Sequence, residues 1–224
     1  MSTFTDHTWR TTVAKATVDG RPFRVVRPAR PVTDASLHED WHGAHLSVHK
    51  NFARDLAAAW WLAARSPRSL IHLPLRSSGH IDGDGDTRPL DLVLLHHSLG
   101  FRPASWKTLR ARTSTGGSPH TVELPEGSLR AATDDDHAAV HYREHLDRLH
   151  WTVATDTLFI TGSRDAFALQ ASQLRSLVED SPSFLAERPQ GHFCAEINLG
   201  AQGFKQHDRS PNAVLHIQIC ETHR

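Results

Sequence analysis

The chain has 224 residues, with Lys+Arg and Asp+Glu both at 25, so its formal charge at pH 7 is zero. That length is enough for one large domain with a real core and no disulfide staples, and the balanced charge leaves no broad positive field to attract nucleic acid or an anionic membrane. The N-terminal MSTFTDHTWRTT lacks a basic stretch followed by an apolar one, no apolar run approaches the ~18 residues of a bilayer span, and the only cysteines are Cys194 and Cys220, so the expectation is a cytoplasmic protein with free thiols.

Residues 9–18 and 22–27 are β-rich and are separated by Asp19-Gly20, the signal of a type I′ hairpin. After a proline breaker at 28–31, residues 34–64 read as helical. Leu37, Trp41, Ala44, Val48, Phe52, Ala59 and Leu62 form one apolar stripe near period 3.6, with Gly43 as a point of division. Residues 69–75 and 90–97 are strand-length apolar runs, and the second, LDLVLLHH, is continuous enough for a central strand covered on both faces. The polar stretch SSGHIDGDGDTRP joins them.

Residues 105–113 either pair with 120–124 across Gly116-Gly117 or form a short helix behind Pro103. Residues 134–149 predict a helix with Asp134, Asp135 and Asp136 at its positive end. TLFIT at 157–161 then predicts a buried strand, Gly162 a turn, Ser163 an N-cap and 164–178 a helix, before two final strands at 192–199 and 213–221. The order mixes local hairpins with helices and lacks the regular alternation of a doubly wound sheet. The expected fold is therefore α+β, a mixed, largely antiparallel sheet with helices packed on it. It forms a single domain over 1–224, or subdivides into 1–132 and 133–224.

Two resemblances accompany these elements. Arg greatly outnumbers Lys, whose members are Lys15, Lys50, Lys107 and Lys205, and Ala, Asp and His are abundant, a composition that resembles proteins of high-GC bacteria such as actinobacteria. The stretch TLFITGSRDAFALQASQLRSLVEDSP, followed by GHFCAEINLG and SPNAVLHIQICE, resembles the β-α-β-β domains of bacterial polymorphic-toxin immunity proteins of the immunity protein 32 type. His192 matches the first histidine of that family's H-x-H-like strand, and Cys194 stands where the second would be. The resemblance covers the last third of the chain and implies a non-catalytic, toxin-neutralising protein with a protein partner.

Several constellations bear on chemistry. Alternation in the two final strands puts Phe193, Ala195, Ile197, Leu199, Leu215, Ile217 and Ile219 on a core face. His192, Cys194, Glu196, Asn198, His216, Gln218 and Cys220 take the other. Antiparallel pairing would bring His192, Cys194, His216 and Cys220 together as N and S ligands for zinc or another transition metal; the plainer reading is a solvent face. His38, His42, His45 and His49, spaced four, three and four, would share one flank of an unbroken helix and offer a second ligand set. His141 to His145 spells H-x-x-E-H, the inverted zinc-peptidase signature, on a helix, but the chain after it is too short for the domain such peptidases build there. Asp82, Asp84 and Asp86 imitate the start of a calcium loop, yet Thr87 and Val93 stand where an EF-hand requires Gly and Glu. His96 and His97 end the central strand with Arg102 close behind, and together with Glu196 they are the candidate catalytic groups. Two functions follow from these features: a non-catalytic binding protein, or a His-dependent, metal-assisted enzyme acting on a small molecule.

Overall fold

The computed structural model describes residues 7–40, 43–78, 88–131, 133–141, 147–200 and 213–220. His42, the DGDGD segment at 82–86 and residues 142–145 of the H-x-x-E-H pentad lie outside them. Strands β1 (Thr8–Val18) and β2 (Arg21–Pro28) form the opening hairpin. Its turn residues Asp19 and Gly20 have φ of 51° and 74°, the left-handed pair that a two-residue I′ turn requires.

The next segment corrects the expected helix over 34–64. It contains β3 (Ala35–Asp40) and β4 (Gly43–Val48), paired antiparallel, and only then α1 (Lys50–Arg65). Over so short a stretch the apolar residues satisfy period 2 as well as period 3.6: Ala35, Leu37, Ala44, Leu46 and Val48 alternate with Ser36, His38, His45 and Ser47. Pairing of β4 with a distant strand decides between them. The helix starts where the alanine-rich run supplies intrinsic propensity.

Strands β5 (Ser69–Leu73) and β6 (Asp91–His96) follow, and 3₁₀ turns at His97–Leu99 and Pro103–Ser105 lead into α2 (Trp106–Thr113), the helical alternative for this segment. Strand β7 (Ser118–Glu123) pairs with β1. Helix α3 (Asp134–His141) does not run to 149 as expected: residues 147–149 are non-helical and lead into β8 (His150–Val153), with Leu149 buried. Strand β9 (Thr157–Gly162) ends at Ser163, whose Oγ accepts the backbone N–H groups of Asp165 and Ala166 at 3.1 and 3.0 Å, as an N-cap should. The expected helix at 164–178 is divided at Gln170 into α4 (Arg164–Leu169) and α5 (Ala171–Glu179), with α6 (Ser181–Glu187) beyond. The chain closes with β10 (Cys194–Gly200) and β11 (Ala213–Ile219).

These strands form two mixed sheets, in the order β7-β1-β2-β5-β6-β9-β8 and β10-β11-β4-β3. Most pairings are antiparallel, with parallel ones at β2–β5, β6–β9 and β11–β4. With helices packed against both sheets, the fold is α+β. Strands β6 and β9 are interior, and Leu92, Leu94 and Phe159 are fully buried, as a continuous apolar run requires. The main core fills the space between the sheets, where α1 packs on β5 and β6 and α5 bridges α1 to β10. A second core under α2 covers the other face of the larger sheet with Phe101, Trp106 and Phe159. Among the described residues no helix is long and apolar enough to cross a membrane.

Candidate metal centre and neighbouring polar sites

The four-stranded sheet has two unlike faces. Ile197, Leu215 and Ile217 are fully buried and Ile219 nearly so, with Phe193 half-buried beside them, which is the face division expected from alternation. On the other face the register aligns His38 with His45, His45 with His216, and His216 with Glu196, so three imidazoles and a carboxylate lie in one row across all four strands. The adjacent row is Ser36, Ser47, Gln218 and Cys194. Burial rises along the first row from an exposed Glu196, through half-buried His216 and His45, to His38 at 9 % exposure.

At the exposed end His192, Cys194 and His216 converge, with one ligand atom from each within 4.8 Å of the others. The His192 and His216 rings stack with centroids 5.5 Å apart, and the His45 ring meets His216 edge-on at 5.0 Å. Tetrahedral zinc, with bonds of about 2.0–2.3 Å, sets its ligand atoms about 3.3–3.6 Å apart, so closing this trio on an ion takes at most about 1.5 Å of side-chain adjustment. Glu196 Oε1 lies 3.7 Å from His216 Nδ1, where a carboxylate can orient a metal-binding imidazole from behind. Burial, reinforced by the Glu196 charge, raises the Cys194 thiol pKa, so a metal would bind there by displacing a proton.

Cys220 does not join this group. It is buried and its backbone N–H donates to Val48 O at 2.8 Å, tying the end of β11 to β4. The four-histidine helical set is also corrected: His38 and His45 face each other on β3 and β4, and His49 precedes α1. The strand pairing that dismantles that set brings His45 beside His216. His96 and His97 stay apart from the sheet site, their rings 4.7 Å from each other and His96 Nδ1 2.8 Å from Ser98 Oγ. Arg102 is exposed at the start of the second 3₁₀ turn.

Among the described residues a heavily charged interior site that no sequence motif announces lies at one end of the larger sheet. The Asp91 side chain, 4 % exposed, lies 3.1 Å from Arg76 Nε, 3.2 Å from Arg110 and 3.4 Å from His72 Nε2. Arg27 Nε donates to His72 Nδ1 at 2.8 Å, which leaves the proton of a neutral His72 on Nε2, facing Asp91. Arg27 also donates to the Thr113 carbonyl and, at 2.7 Å, to its hydroxyl. Burial pushes the Asp91 pKa up, but hydrogen bonds and surrounding positive charge outweigh it and hold the carboxyl below the ordinary value. The available signal was an Asp opening a run of leucines and a His inside SLIHL, each a polar group on a face that must be covered.

Burial lowers the pKa of His72, with Asp91 acting in the opposite direction. Below the unfolded-state value of about 6.5 the unfolded chain therefore takes up a proton that the folded chain refuses, so this stability is present above pH 6.5 and declines as pH falls through it. We predict that His72→Gln, which offers an acceptor to Arg27 and a donor to Asp91, flattens the dependence of unfolding free energy on pH between 6.5 and 5.5. The reduction is bounded by about 1.4 kcal/mol per pH unit, the limit for one proton. Urea unfolding at a series of pH values measures it, and an unchanged slope would mean that His72 takes up its proton equally in the folded and unfolded chain.

Compared with known protein families, characterised proteins and solved structures, the chain matches none.

Proposed function

We propose that the protein is a non-catalytic cytoplasmic binding protein whose ligand is a soft divalent transition metal of the zinc type. The observation that carries this reading is the convergence of His192, Cys194 and His216 at the exposed end of a polar sheet face. Imidazole nitrogen with thiolate sulfur is a donor set suited to zinc and poorly suited to calcium or magnesium, which take oxygen ligands. Two of the ligands are locked on paired strands, so little ordering is needed on binding.

A second reading, metal-assisted chemistry on a small molecule, is favoured by Glu196. Three protein ligands would leave a fourth position for water or substrate, and Glu196, 3.7 Å from His216 Nδ1, would tune the basicity of that ligand from behind. Protein purified without a histidine tag is expected to retain one equivalent of transition metal through dialysis. The double variant His192→Ala/His216→Ala should lose it, and Cys194→Ser should abolish the thiolate charge-transfer band of the cobalt(II)-substituted protein. Glu196→Gln should weaken metal binding by about tenfold while leaving the stoichiometry at one. Metal retained equally by the double variant, or by no form of the protein, overturns the assignment.

A further inference from the structure

A second site lies away from the metal ligands, where the last turn of α1, the 127–130 loop and α4 enclose a cleft of about 540 Å³. That volume falls in the range of small-molecule sites. Its floor is rigid. Trp60 is buried, packs edge-on against Phe167 with centroids 4.9 Å apart, and donates its indole N–H to the Phe167 carbonyl at 2.9 Å.

The cleft is lined by three guanidinium groups, Arg65, Arg130 and Arg164, against one carboxylate, Asp165. Arg130 is committed to Asp136 at 2.8 Å. Among the described residues neither Arg65 nor Arg164 forms an ion pair, although burial and then the neighbouring Arg164 charge lower the pKa of Arg65. Two like charges face one cleft, and the site keeps one positive charge after Asp165 and Asp136 are counted. The Arg65 guanidinium sits 5.0 Å over the Trp61 ring, which holds it in place without neutralising it. Guanidinium groups bind phosphate oxygens in paired, charge-assisted hydrogen bonds, and an indole wall suits a flat ring.

We infer that this cleft binds a small organic phosphate carrying a planar ring, its phosphate bridged by Arg65 and Arg164 and its ring meeting the edge of the Trp61 indole, whose face Arg65 covers. Neither guanidinium is needed for the core, so Arg65→Gln and Arg164→Ala are expected to fold normally and to keep their metal content. Phenyl phosphate, titrated by calorimetry at constant ionic strength, should bind saturably at one site. Inorganic phosphate and phenol, each supplying half of the ligand, should bind at least about tenfold more weakly. Each arginine variant should weaken phenyl phosphate binding by about tenfold or more, with an unchanged melting temperature. Equal binding of phenyl phosphate by wild type and both variants, or no saturable binding by wild type, overturns the inference. Inorganic phosphate binding as tightly as phenyl phosphate would remove the ring from the assignment.

Discussion

Asp91→Ala is expected to lower the free energy of unfolding by about 3–5 kcal/mol, the range for removing one partner of a buried charge cluster. The carboxylate contacts Arg76, Arg110 and His72 together, and its side chain is 4 % exposed. Without it, Arg27, Arg76 and Arg110 share one end of the sheet, and the half-exposed Asp156 pairs with Arg76 alone among them. Asp91 Oδ1 also accepts the Arg76 backbone N–H at 3.1 Å, so a local backbone donor loses its partner. Two features limit the loss. Arg76 also reaches Asp156 at 3.2 Å, and both Arg76 and Arg110 retain partial contact with solvent, so they can swing outward. Arg27, pinned between His72 and Thr113, has less freedom. Asp91→Asn keeps the volume and an acceptor while deleting the charge, and should fall between wild type and Asp91→Ala in urea unfolding. An Asn variant within about 1 kcal/mol of wild type would show that the arginines are neutralised elsewhere.

Gly43→Ala is expected to destabilise the protein by about 3 kcal/mol and to weaken metal binding together with it. Gly43 has φ of 138°, a conformation that an L-residue with a side chain avoids. A Cβ placed there would meet Val214 O at 2.5 Å and Val214 N at 3.0 Å, both backbone atoms that cannot turn away. Val214 is the direct partner of Gly43 where β4 begins its parallel ladder with β11, two residues from His216. The variant must strain its own backbone or push β11 outward, and the second course moves His216 relative to Cys194. Gly20→Ala is a useful control, since it also has positive φ but a Cβ there meets nothing within 4 Å. It should lose stability and leave metal affinity unchanged. Urea unfolding with metal titration separates the two effects, and a Gly43→Ala protein as stable as wild type would place Val214 elsewhere.

Much of this architecture was legible in the residues alone, wherever a local pattern carries the decision. Asp19-Gly20 between β-rich runs specifies a hairpin because few residue pairs accept two left-handed conformations. LDLVLLHH and TLFIT read as interior strands because continuous apolar residues are stable only when covered on both faces, and Ser163 read as a cap because its hydroxyl meets N–H groups that the helix leaves unpaired. Alternation along the last two strands separated His192, Cys194, Glu196 and His216 from the isoleucines before any partner strand was known.

Tertiary structure decided the rest, because it depends on contacts between residues far apart in the chain. Residues 35–48 satisfy helical and strand periods alike, and pairing of β4 with β11, more than 160 residues downstream, makes them strands. The same pairing dissolves a helical row of histidines and assembles a cross-strand row that sets His45 beside His216. Cys220 followed the alternation on paper but is buried where its backbone bonds to β4. Asp91, His72, Arg27 and Arg110 come from four elements that the sequence does not pair, and their mutual dependence follows from strand order and from α2 covering that face. Local propensity selects the faces of individual elements, whereas the register between distant strands selects which polar side chains meet. In this protein the candidate metal ligands Cys194 and His216 are brought together by register.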